Sequence, residues 1–259
     1  MKFASWNINS IKMREATLSN WIINNDIDAI AIQEIKCENE NFPFENFKKI
    51  GFNCEVLGQK SYNGVAILSK YPINVRETKL PNLNEESPQS RYLEVEINDF
   101  IFSSIYLPNG NPLNSDKYDY KIKWLNSFIS HAKNLLKLEI PIILCGDYNV
   151  IPEDMDCWDP RVWKSDALGI DQVRDLFRSF KNDGYYDAFR SKNVNDVKWT
   201  FWDYQNGSWS KDHGIRIDHF ILSPNAVDKL IDCDIDKEPR GKNKPSDHVP
   251  IWCELEKIE

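Results

Sequence analysis

The run Pro141-Ile142-Ile143-Leu144-Cys145-Gly146-Asp147-Tyr148-Asn149 sets the reading of the whole chain. Ile142 to Cys145 is a short apolar run behind a proline, too brief for a buried helix, and it suits a central strand covered on both faces. The run stops at Gly146, and a carboxylate and a carboxamide follow with one residue between them. In extended backbone, residues two apart point the same way, so Asp147 and Asn149 are expected side by side at the strand's C-terminal end. Open α/β sheets bind their ligands at that edge. An Asx turn closing the strand is the other reading of the same residues.

Other segments end in the same polar way. Lys2 to Asn7 reads as a strand, Asp28 to Gln33 as a buried strand running into Glu34, and Gly64 to Ser69 as another. Tyr92 to Ile97 and Phe100 to Leu107 form a hairpin turned by Asn98-Asp99, and Pro108-Asn109-Gly110-Asn111-Pro112 closes it. Ile215 to Leu222 and Val249 to Leu255 are the late strands. Helical spacing covers Arg14 to Asn24, Tyr118 to Leu136 and Val173 to Phe180, whereas Pro152 to Trp163 reads as a loop. With no repeat, linker or low-complexity stretch, residues 1–259 are expected to form one α/β domain with much antiparallel pairing.

Composition narrows the function classes. Hydrophobic residues make up 41% and charged residues 28%, as in soluble globular chains. No apolar run is long enough to cross a bilayer, and Met1 to Asn7 lacks the apolar core of a signal peptide. Six cysteines without any C-x-x-C pair fit a reduced cytoplasmic protein better than a disulfide scaffold or zinc site. The net charge of −8 argues against broad polyanion binding but leaves room for a locally basic cleft.

Asn7, Glu34, Asp147 with Asn149, and Asp218 thus end strands in acids or amides, and Ser246-Asp247-His248 precedes the last one. A hard divalent cation such as Mg²⁺ needs such oxygens, usually one or two carboxylates with water and substrate phosphate. Glu34 and Asn7 are candidate ligands, with Asp247 binding directly or through water. Each taken singly is an ordinary strand terminus.

Trp6-Asn7-Ile8-Asn9, Gln33-Glu34, Gly64 to Ser69, Tyr106-Leu107-Pro108-Asn109-Gly110 and Gly146-Asp147-Tyr148-Asn149 occur in that order. Thr200-Phe201-Trp202-Asp203-Tyr204, Arg216-Ile217-Asp218-His219 and Pro245-Ser246-Asp247-His248 complete the series. Together they closely resemble the exodeoxyribonuclease III family of apurinic/apyrimidinic endonucleases, within the endonuclease/exonuclease/phosphatase superfamily. The resemblance runs from Lys2 to the C-terminus. It implies a four-layer α/β sandwich, two packed mixed β-sheets flanked by helices. It also implies Mg²⁺ dependence, with Mn²⁺ able to substitute, and a monomer acting on duplex DNA with abasic sites or blocked 3′ ends. Asn7, Glu34 and Asp247 then match metal ligands, and Asp147 the group that orients or deprotonates the attacking water. Asn149 matches its partner at the phosphate, His248 the catalytic histidine, and Asp218 the carboxylate behind that histidine. Tyr106 and Asn109 match phosphate contacts, and Trp202 a wall of the pocket for the base-free sugar. Asn9 departs from the pattern, standing where some relatives carry Asp.

Physical chemistry agrees with these roles. Hydrolysis of a phosphodiester builds negative charge on the phosphate and leaving oxygens, which a cation, an imidazolium and amide donors stabilise. His219 is expected to be a packed strand residue. Lys12, Arg14, Lys60, Arg240, Lys242 and Lys244 are the candidate contacts to DNA phosphates. Two other readings stand beside the repair nuclease: a superfamily phosphatase or phosphodiesterase for a small phosphorylated molecule or lipid, and a binding protein with a decayed site.

Overall fold

The structure is a computed structural model and describes residues 1–83 and 89–257. Two six-stranded mixed sheets pack face to face. In the first, β11 (Leu230–Ile235), β12 (Ile251–Leu255), β1 (Lys2–Asn7), β2 (Ala29–Gln33), β4 (Val65–Ser69) and β3 (Asn53–Leu57) lie in that order. The second runs β5 (Asn74–Glu77), β6 (Tyr92–Ile97), β7 (Phe100–Tyr106), β8 (Ile142–Asp147), β10 (Asp218–Leu222) and β9 (Tyr186–Asp187). β1 pairs with β2 and β7 with β8 in parallel, and β10 runs antiparallel to β8 with Asp218 opposite Asp147.

Strand parity sorts the side chains into layers. Phe3, Ala29, Ile67, Val95, Phe102, Ile143 and Phe220 face the space between the sheets. Their neighbours Ala4, Trp6, Ile30 and Ile32 face the other way, against Leu18, Trp21 and Ile22 of the helix Ile11–Asn24 and Phe47 of the helix Phe44–Lys49. On the far side, Ile101, Ile105, Ile142, Leu144 and Ile221 pack against the helices Asp116–Leu136 and Asp171–Asn182 through Trp124, Phe128, Phe177 and Phe180. The four expected layers are present. Burying one such Ile or Phe contributes about 1.5–3 kcal/mol, which is why the alternation holds so strictly.

The inner faces change character along the strands, and this places the site. Phe3, Ser5 and Asn7 follow one another on β1, as do Phe102, Ser104 and Tyr106 on β7 and Ile143, Cys145 and Asp147 on β8. Between the apolar and charged ends lies a polar step: Gln33 Nε2 donates to Ser5 Oγ (3.2 Å) and Ser104 Oγ (3.0 Å), all fully buried. Gly146 permits the close approach of β7 and β8 there. Its φ is +150°, and a Cβ would stand 2.0 Å from the Ile105 carbonyl oxygen, a backbone atom that cannot yield.

Several expectations shift. The helix read from Arg14 begins at Ile11, and the one read from Tyr118 begins at Asp116, where the Ser115 hydroxyl accepts from Tyr118 N–H. The stretch from Ile215 becomes regular strand only at Asp218, because Ile215 bridges singly to Cys157 and Phe201 while Arg216 enters a buried ionic cluster. Within the expected loop Pro152 to Trp163 there is a short helix, Pro160–Trp163, with Asp159 as its cap. β3, β5, β9 and β11 were not anticipated, and all four are edge strands. An edge strand buries less of itself and carries more charge, so its apolar pattern is weak.

Candidate active site

The ends of β1, β2, β7 and β8, the start of β10 and the loop before β12 converge at one rim of the inter-sheet core. Asn7 lies at its centre. Its Nδ2 donates to Glu34 Oε1 (2.8 Å) and Asp147 Oδ2 (3.0 Å), while its Oδ1 accepts from Asn9 N–H (3.1 Å). Asn7 therefore ties two carboxylates together, and its carboxamide oxygen is turned to the backbone. Tyr106 donates its hydroxyl to Glu34 Oε1 at 2.9 Å. Burial, then Glu34 and Asp147, raise the Tyr106 phenol well above its ordinary value, so it keeps its proton.

His248 and Asp218 form the second unit, with His248 Nδ1 donating to Asp218 Oδ2 at 2.8 Å. His248 Nε2 faces Asp147 Oδ2 at 3.7 Å, wider than a direct hydrogen bond. Burial opposes charge on His248, but Asp218 and Asp147 outweigh it and push the imidazolium up to about 10. Burial raises the Asp147 carboxyl, His248 pulls it down, and Asp218 and Glu34 raise it again. Burial would raise Glu34 too, yet Lys36 and Asn7 hold it below its ordinary value.

Asp147 and Asn149 are joined differently from the expectation. Asn149 has φ +48°, so it is not extended, and its N–H donates to Asp147 Oδ1 at 2.9 Å. The Asx turn and the functional pair are the same object. The Asn149 amide then donates to Leu107 O (3.0 Å) and accepts from Asn109 Nδ2 (3.2 Å), bringing the two carboxamides together.

Asp247 sits on the other flank, accepting at Oδ1 from Asn9 Nδ2 (3.0 Å). The Asn9 oxygen takes the Lys36 ammonium at 2.5 Å, and Lys36 pairs with Glu34 Oε2 at 2.7 Å. Glu34 and Asp247 are thus linked through Asn9 and Lys36. Glu34 and Asp247 offer hard carboxylate oxygens, and an ammonium already lies on Glu34, so these two fit a divalent ion of oxygen preference. Asn7, expected as a ligand beside them, instead presents its Nδ2 to Glu34 and its oxygen to the backbone. Among the described residues, one group of three acid or histidine side chains brings ligand atoms within 4.8 Å of one another: Asp147, Asp218 and His248. Two of these three are already spent on each other as the His–Asp pair.

Trp202 does not stand where the sugar-pocket expectation puts it. It is fully buried, donates its indole N–H to Asp212 (3.0 Å) and packs edge-on against Trp209 at 5.1 Å. Phe201 is the ring beside His248, at 4.9 Å, on a backbone bridged to His248. Adjacent residues in extended chain point oppositely, so only one of two neighbouring aromatics can face the site. The pair was legible in the sequence; which member faces inward was not.

Of the candidate DNA contacts, Lys12, Lys60, Lys242 and Lys244 are exposed. Arg240 is buried and donates to the Trp202 carbonyl, and Arg14 is occupied by the carbonyls of Ile8, Lys244 and Pro245. His219 is buried as expected but polar in its contacts. Arg216 can only donate, so His219 Nδ1 accepts from it (3.1 Å), and Nε2–H donates to Val150 O (2.9 Å). All six cysteines are free thiols. No helix among the described residues is long and apolar enough to cross a membrane.

Comparison with known proteins places this geometry. Residues 4–248 match the Endonuclease/Exonuclease/phosphatase family. Exodeoxyribonuclease III of Haemophilus influenzae is 31% identical, covering 98% of this chain and all of that protein. An AP endonuclease from Archaeoglobus fulgidus superposes with a TM-score of 0.94 at 30% identity, covering 99% of this chain and 100% of that one. NExo from Neisseria, described as a 3′ phosphatase and solved with a product DNA hairpin, superposes at 0.95 with 31% identity, covering 99% and 100%. With the family matched over nearly its whole length and the Asn–Glu, Asp-x-Asn and Ser-Asp-His motifs gathered at one rim, the chain belongs to the exodeoxyribonuclease III and AP endonuclease family.

Proposed function

We propose that the chain is a DNA repair nuclease that cuts duplex DNA on the 5′ side of abasic sites and trims blocked 3′ ends, as a monomer dependent on Mg²⁺, with Mn²⁺ able to substitute. The observation carrying this reading is the charged His248–Asp218 pair facing the buried carboxylate of Asp147 across 3.7 Å, beside the joined amides of Asn109 and Asn149. Asp147 holds the attacking water and takes its proton, the work of a buried carboxylate with a raised proton affinity. His248, kept charged and in one orientation by Asp218, donates Nε2–H to a phosphate oxygen. The free N–H groups of the two amides take a second phosphate oxygen. Phe201 lines the space beside His248 for the base-free sugar. Glu34 and Asp247 would hold a divalent cation beside Asn7, and it would supply Lewis-acid stabilisation of the charge growing on phosphate.

The likeness to NExo favours a second reading, in which removal of 3′-terminal phosphate is the main activity. Two duplexes separate them, one with a single internal abasic site and one with a 3′-phosphate at a nick, each with and without EDTA. Incision 5′ to the abasic sugar, leaving a 3′-hydroxyl and abolished by EDTA, is expected. Loss of the 3′-phosphate with the abasic strand intact would replace the first reading by the second. Hydrolysis of inositol phosphates with both duplexes untouched would overturn both.

A further inference from the structure

Lys121, in the helix Asp116–Leu136, is a lysine with no exposed surface. A buried ammonium is costly unless its donors are satisfied. Here they go to two backbone carbonyls, Asn109 O at 3.0 Å and Asn149 O at 2.6 Å. Those carbonyls belong to the two residues whose side chains meet at the phosphate rim, on loops about forty residues apart in sequence.

We propose that Lys121 is the positioning residue for the phosphate-binding amides, a single side chain that clamps the loops of Asn109 and Asn149 in register; this rests on the reading above that those amides hold the phosphate. The local geometry is built around it. Gly110 has φ +87°, and a Cβ there would lie 2.5 Å from Lys121 Cδ, so the loop closes directly onto the lysine stem. Asn149 has φ +48°, a left-handed conformation that asparagine tolerates and that still gains from outside support. Lys121 supplies it at the carbonyl, while Asp147 supplies it at the N–H. A shift of the Asn149 backbone is therefore also a shift of the hydrogen bond that orients Asp147. Burial pushes the ammonium down to about 7, with Asp147 and Asp166 pulling the other way. The clamp tolerates loss of that proton, since a neutral amine still has two N–H donors for two carbonyls.

The test compares Lys121→Met, Lys121→Arg, Asn149→Ala and the Lys121→Met/Asn149→Ala double variant on abasic-site duplex. Melting temperature verifies folding, and the side-chain amide NMR signals of Asn109 and Asn149 are followed without substrate. Lys121→Met keeps the stem and removes both donors. Because a misplacement of about 1 Å at a reacting centre costs on the order of 100-fold, kcat should fall by about that factor with KM nearly unchanged. The Asn109 and Asn149 signals should shift or broaden while other side-chain amides stay in place. Lys121→Arg, which restores N–H donors on a longer, planar head, should recover part of the loss, and the double variant should be little worse than Asn149→Ala. Unmoved amide signals in Lys121→Met, or full activity there beside a crippled Asn149→Ala, would overturn the clamp. Full activity in Asn149→Ala would instead overturn the phosphate-binding reading, and simple addition of the two losses would give Lys121 a separate task.

Discussion

At the scale of single residues the site is a set of couplings rather than a row of independent groups. Asn7 serves two carboxylates at once, and Asp147 divides its oxygens between Asn7 and the Asn149 backbone. The His248–Asp218 hydrogen bond of 2.8 Å is the tightest test of this view. If Asp218 acts only by orienting and charging the imidazole, it has no use once the imidazole is gone. His248→Ala should lower kcat/KM on abasic DNA by about 3–4 kcal/mol of transition-state stabilisation, the size of losing one preorganised donor. Asp218→Ala should cost somewhat less, and the double variant should scarcely exceed His248→Ala, as residues acting as a unit are not additive. Additive losses would show that Asp218 works separately.

At the scale of elements, the ladder with β8 sets Asp218 opposite Asp147 at the rim, and the residues on either side of Asp218 are held from behind. Arg216 pairs with Asp156 (2.7 Å) and Asp187 (2.9 Å), and its third contact is His219, one residue beyond Asp218. The cluster thus joins β10 to the loop after β8 through Val150 and Asp156. Burial first, then the Arg216 charge, drives the His219 imidazole from 6.5 down to about 3. The unfolded chain takes up a proton below pH 6.5 that the native state refuses, so this contribution is complete above 6.5 and is lost as pH falls towards 3. The loss is about 1.4 kcal/mol per pH unit in that window. Urea unfolding between pH 6.5 and 4.5 should show a slope shallower by about that amount in His219→Gln, which can keep both hydrogen bonds without titrating. Parallel slopes for the two proteins would refute the assignment.

The whole molecule is acidic, with a net charge of −8, yet it has to approach a polyanion. The resolution is local: exposed Lys12 and Lys244 lie near the loops of Asn7 and His248 in the chain, while acidic groups at the rim are paired. If these two lysines meet phosphates, each contributes close to one unit to the dependence of log K on log salt. Replacing both by Gln should weaken binding of abasic duplex, lower the salt slope by about 2, and leave kcat at saturating DNA unchanged. An unaltered salt slope would remove them from the interface.

Much of this protein was legible in its sequence. Short apolar runs ending in Asn7, Glu34, Tyr106 and Asp147 marked the central strands, because a strand covered on both faces can hold little but apolar residues until it reaches its rim. The order of motifs carried the family, and with it a set of candidate residues, most of which the fold gathers at one rim. Tertiary structure alone decided what neighbouring residues do. It turned Phe201 to His248 and Trp202 away, wound Asn149 into an Asx turn, buried Arg240, and drew Lys36 and Lys121 into the site from positions that no periodicity distinguishes. It also placed four edge strands whose patterns are faint. The reason is physical: periodicity records which side of an element is buried, whereas the direction of a polar side chain is set by donors and acceptors that reach it from distant parts of the chain.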